Sequence, residues 1–173
     1  CHNKQGKPRQ AKQAPSQNLN KLSLTSMTQI DFYFNAPDKW LYVSRLLRKA
    51  TGQGKRIGVW CDPESMDALN QSLWQLSATD FVSHCLANDD AQLGGLSSVV
   101  IADDWASLCN LPKLDVHLNL KLVAPPDMRN VVRILEVVGP ENDDKSSARE
   151  RWKHYAQLGF QINRHDLAAH APT

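Results

Sequence analysis

From Ile30 onward, short runs rich in β-branched and aromatic residues alternate with stretches of helical period, and this alternation restricts the chain to a largely parallel sheet covered by helices. Strands are predicted over residues 30–34, 56–61, 98–102, 115–120 and 131–138. Between the first two, a helix over about 37–50 carries Trp40, Val43, Leu46, Leu47 and Ala50 on one apolar face. After Cys61, Asp62-Pro63-Glu64 combines an N-cap acid, proline at the first helical position and an acidic first turn. Met66, Leu69, Leu73 and Trp74 follow as that helix's apolar stripe. A last helix over about 143–158 has acids at its start and Gly159 just past its end. The expected architecture is one α/β domain of the doubly wound class, with a mostly parallel sheet of about five strands.

Length supports a single core: 173 residues with 42% hydrophobic content suit one globular unit. No run is apolar enough for a membrane span, which points to a cytoplasmic chain. Five of the 20 basic residues and none of the 18 acids lie in residues 1–26, leaving 15 basic against 18 acidic residues in the rest. A globular part of that sign does not grip a nucleic-acid backbone through its overall field, so contact with DNA is expected to be indirect. Residues 1–26 are rich in Gln, Lys, Asn, Ser and Pro without an apolar period and read as a disordered basic extension. A solvated arm and a DNA-gripping tail are both open readings of it. The globular pattern occupies 27–173, and Met27 is placed where a natural start would fall.

Features suggestive of enzymes are weak. Thr51-Gly52-Gln53-Gly54-Lys55 has glycines and a lysine, but it ends a helix and leads into a strand, the reverse of a phosphate loop, and reads as a glycine C-cap and turn. No G-x-G-x-x-G follows the first strand. Cys61 lies at a strand's carboxyl end, where α/β enzymes place nucleophiles, yet it has no glycine-flanked elbow and no evident base. His84-Cys85 and Asp103-Asp104 lack partners at metal-ligand spacing, and the acid pair reads as a turn or helix cap. No cofactor, metal or catalytic residue is expected. The alternative function is an α/β nucleotide-using enzyme with degenerate motifs.

The most informative segment is the last helix, in which Lys145, Arg149 and Lys153 recur every four residues beside Ala148, Trp152, Tyr155 and Ala156. An arginine fork beside a large aromatic suits a peptide with an acidic run, an apolar last side chain and a free terminal carboxylate. Spacing alone equally describes a surface helix whose aromatics face the core and whose cations keep it soluble.

The run from Ala148 to Tyr155, followed by Gly159-Phe160 and Asn163, resembles the C-terminal signature of the chi subunit of bacterial DNA polymerase III holoenzyme. Phe32-Tyr33, Lys55-Arg56, Leu73-Trp74 and residues 77–86 match the same family in order and spacing. The resemblance spans about 30–163. It implies a Rossmann-like fold without a nucleotide site and a non-catalytic replisome adaptor. Such an adaptor binds the acidic C-terminal tail of single-stranded-DNA-binding protein at one surface. At another it binds the psi subunit, and through it the clamp loader, or a repair helicase. Carried over, Arg149 clasps the tail's terminal carboxylate, Trp152 and Val138 wall the pocket for its last side chain, and Lys145 and Lys153 face its acids. The family commonly has tyrosine where Trp152 stands. Trp74 and Phe81 match the second surface, although Trp74 also continues an apolar stripe and core placement is the other reading of both.

Overall fold

A computed structural model describes residues 28–75, 82–86, 97–111, 114–129 and 131–168. In chain order the elements are β1 (Gln29–Phe34), α1 (Lys39–Gly52), β2 (Ile57–Trp60), α2 (Pro63–Gln75) and β3 (His84–Leu86). They continue with β4 (Val99–Ala102), α3 (Trp105–Cys109), β5 (Val116–Asn119), β6 (Arg133–Val137), α4 (Asn142–Gln157) and β7 (Gln161–Asp166). Each predicted strand is present within two residues of its expected bounds.

The sheet corrects the expected count. Among the described residues it has seven strands in the order β3-β4-β2-β5-β6-β1-β7, paired in parallel throughout. The two strands beyond the expected five are the edges, β3 and β7. β3 has only three residues, and β7 reads QINRHD with no buried position, so neither carries the apolar signature of an inner strand. By contrast β2, β4 and β5 are buried along their whole length, as parallel strands covered on both faces must be.

Alternation along the strands sends side chains into two cores. One, beneath α1 and α2, includes Val43, Leu47, Val59, Leu69, Leu73, Ile101 and Leu118. The other, beneath α3 and α4, includes Ile30, Phe32, Trp105, Leu108, Ile134, Ala148 and Tyr155. Gly58 allows close packing on the α3 side, where an added Cβ would stand 2.7 Å from Leu114 Cδ1 and force that side chain to shift.

Helix ends follow their local chemistry. The Asp38 carboxylate accepts from the Leu41 amide at 3.1 Å to cap α1. The glycine-containing segment 51–55 closes that helix, with Gln53 as C-cap and Gly54 at φ +78°. Asp104 caps α3 by accepting from the Ala106 and Ser107 amides. α4 begins with Asp143 and Asp144 in its first turn, where the helix dipole favours acids, and Gly159 at φ +82° follows its end.

Candidate functional site

The orientation of α4 is set from below by a buried polar cluster that the sequence reading did not anticipate. Glu136, the penultimate residue of β6, is fully buried. Its carboxylate accepts from Arg151 Nε at 2.9 Å, Tyr155 OH at 2.6 Å and Asn119 Nδ2 at 2.9 Å. Arg151 is itself buried and also donates to the Leu122 carbonyl at 3.3 Å. Burial pushes the Glu136 carboxyl above the usual range, while Arg151 and the hydrogen bonds pull against that rise and favour the anion. Burial beside this acid also raises the Tyr155 phenol strongly, so it stays a donor.

One turn-pair earlier on the same side of α4, the Asp144 carboxylate accepts from Lys39 Nζ and the Gly139 amide, each at 2.8 Å. These contacts tie α4 to α1 and to the end of β6. With 100° per residue, a helix that aims Arg151 inward turns Arg149 about 200° away, toward solvent. Trp152 then falls at the boundary. The structure shows this outcome: Arg149 is exposed, Trp152 is half-buried and Ala148 is buried.

The expected site residues from the C-terminal half therefore occupy one edge of α4 and the adjoining strand ends. Trp152 rests on Phe32 of β1, ring centres 5.1 Å apart. Val138 follows β6 and is buried; its amide donates to the Tyr33 carbonyl at 2.8 Å, and its carbonyl accepts from the Ala36 amide at 3.1 Å. Lys145 is half-buried one turn before Arg149. Lys153 is exposed and shares its ammonium with Glu150 at 3.0 Å, an arrangement worth little in free energy where both groups meet water. Among the described residues, no carboxylate pairs with Arg149. Ala156, assigned by spacing to the same face as Trp152 and Tyr155, is instead exposed.

A residue not singled out from the sequence, Arg164 on β7, joins this edge. Its guanidinium stands 5.2 Å from the Phe34 ring centre and 5.7 Å from that of Trp152. Parallel pairing places Arg164 opposite Phe32, on the sheet face that α4 covers. The signal in the sequence was faint, a lone arginine in the polar run after Gly159.

Trp74 lies elsewhere, at the end of α2. It is 62% exposed, so it leaves the stripe that Leu69 and Leu73 bury, and it is not core. Its ring meets His84 edge-on at 5.9 Å, and His84 Nδ1 donates to the Val82 carbonyl at 2.7 Å. Phe81 lies outside the described residues.

The residues weighed for catalysis have structural surroundings. Cys61 is fully buried, and burial together with Asp62 pushes its thiol up to about 12, which keeps it protonated at neutral pH. Asp104 is occupied as a helix cap. Among the described residues no group of three or more His, Cys, Asp or Glu side chains is placed to hold a metal ion, and no helix is long and apolar enough to cross a membrane.

The fold and surface thus define an α/β chain whose glycine turn closes a helix rather than cradling phosphate, and whose distinctive feature is a cationic, aromatic edge along α4. The sequence model of the family described as DNA polymerase III chi subunit, HolC, matches residues 27–163, and the chain belongs to that family. It is 30% identical over 148 residues to the DNA polymerase III subunit chi of Pseudomonas aeruginosa, an alignment covering 82% of this chain and 98% of the relative. It is also 30% identical over 111 residues to the chi subunit of Escherichia coli, covering 64% of this chain and 73% of the relative. For the chi subunit of Haemophilus influenzae the identity is 26% over 111 residues, covering 64% and 74%.

Proposed function

We propose that this chain is a non-catalytic adaptor in DNA replication, which captures the acidic C-terminal tail of single-stranded-DNA-binding protein on the α4 edge. The observation that carries the reading is the pairing of an outward Arg149, unpaired among the described residues, with a half-buried Trp152 three residues on. Arg149 takes the tail's terminal carboxylate, Trp152 flanks its last apolar side chain with the buried Val138 behind the pocket, and Lys145 and Lys153 attract its acids. Lys153 contributes least, because Glu150 already occupies it. The long-range part of this attraction weakens with salt.

The exposed Trp74 belongs to a second surface, which takes psi and through it the clamp loader, or a repair helicase; Phe81, expected with it from the sequence, lies outside the described residues. A large aromatic 62% exposed at a helix end supports docking over a core role. DNA is reached only through these partners. The enzyme alternative gains no support from Cys61 or from the turn at Gly54, whose chemistry is structural.

Titration with a tail peptide tests the reading. Arg149→Ala is expected to weaken binding by on the order of 2 kcal/mol, roughly 30-fold in Kd. An Arg149→Ala chain that binds the peptide as tightly as the parent refutes the assignment.

A further inference from the structure

The structure puts a second guanidinium on the same edge from a different element. Arg149 belongs to α4, three residues before Trp152, whereas Arg164 comes from β7 and stands 5.7 Å from the Trp152 ring centre. Arg164 is exposed, and no carboxylate among the described residues pairs with it. Asp166, two residues on, instead accepts from Asn35 Nδ2 at 3.0 Å and from the Ala168 amide at 3.0 Å. Arg164 is held over two rings, Phe34 and Trp152, so much of its rotamer freedom is already lost before any ligand arrives. An arginine packed over an aromatic ring can still offer N–H groups of its fork to a carboxylate.

We propose that Arg164 is a specificity-determining residue of the peptide site, gripping the side-chain carboxylate of the acid nearest the peptide's apolar anchor. This rests on the tail-capture reading above. One carboxylate satisfies one arginine fork, so a terminal carboxylate on Arg149 leaves Arg164 for the next acid along the peptide. The lysines, as hydrated point charges on flexible stems, attract the acidic run without selecting a position in it. Arg164 therefore makes the site sensitive to where the last acid stands, beyond how many acids there are.

A double-mutant cycle on the full chain tests this. The parent and Arg164→Gln chains are titrated with an acidic peptide ending Asp-Ile-Pro-Phe and with the same peptide carrying Asn for that last Asp. The expected result is that Arg164→Gln weakens the Asp peptide about 5- to 10-fold, and that Asp to Asn weakens binding to the parent similarly but hardly changes binding to Arg164→Gln. Arg164→Lys should recover only part of the loss, since an ammonium lacks the planar fork. Equal binding of the Asp peptide by parent and Arg164→Gln overturns the inference while leaving tail capture intact. So does an equal loss for both peptides, which is what a merely structural role for Arg164 would produce. Failure of the parent to bind either peptide overturns the tail-capture reading and this inference with it.

Discussion

Replacing Arg151 with methionine removes the cation from a carboxylate that has no access to water. Glu136 is fully buried and the Arg151 side chain is 2% exposed, with Nε–Oε2 at 2.9 Å. Tyr155 and Asn119 still donate to the carboxylate after the substitution, but neither neutralises its charge. Breaking a buried pair from one side costs about 3 to 5 kcal/mol, which for a domain of this size lowers Tm by roughly 10 °C. The penalty should also depend on pH. Burial already raises the Glu136 carboxyl, and losing Arg151 removes an opposing pull, so the folded-state pKa rises further above its unfolded value. A group raised in this way contributes stability that is present below the ordinary glutamate range and is lost as pH climbs through the folded pKa. Thermal unfolding of parent and Arg151→Met chains at pH 5 and pH 8 measures both effects. The deficit is expected to be larger at pH 8. A deficit below about 1 kcal/mol, or one equal at the two pH values, refutes the claim that this pair is buried, charged and responsible for holding α4.

Two further predictions concern local structure. Gly159→Ala should cost about 1 kcal/mol in chemical denaturation because φ is +82° there, whereas Gly52→Ala, at the last residue of α1 with no atom within 4 Å of an added Cβ, should be neutral or slightly stabilising; equal effects would contradict the assigned backbone. Alkylation of the native chain at pH 8, read by site-resolved mass spectrometry, should modify exposed Cys109 well before Cys61, whose thiol is buried and held near 12; early labelling of Cys61 would reopen its case as a nucleophile.

Inner strands and long helices were legible because continuous apolar runs and helical stripes report burial directly. β7 was not, since it buries no side chain fully and meets β1 through polar side chains such as Asn163 and His165, which leave no apolar signature in the sequence. α3 escaped because five residues are too short to show a period, although Asp104 carried its capping signal. In the candidate site, the period of four identified Lys145, Arg149 and Lys153, but Arg151 stands between the last two and points the opposite way. The clue to Arg151 lay outside the helix: Glu136 within the apolar run of β6 required a buried partner of opposite charge. Trp74 shows the converse limit, because an apolar stripe read at helical spacing does not reveal where the neighbouring element stops covering it.

The proposed role turns on whether the α4 edge recognises a chain terminus. Calorimetric titration of the full chain with an acidic peptide ending Ile-Pro-Phe, beside the same peptide with its terminal carboxylate amidated, addresses that directly. Saturable binding of the free acid with loss of binding on amidation is the result predicted, since Arg149 then has no carboxylate to grip. Equal binding of the two peptides, or binding of neither by a folded chain, would contradict it.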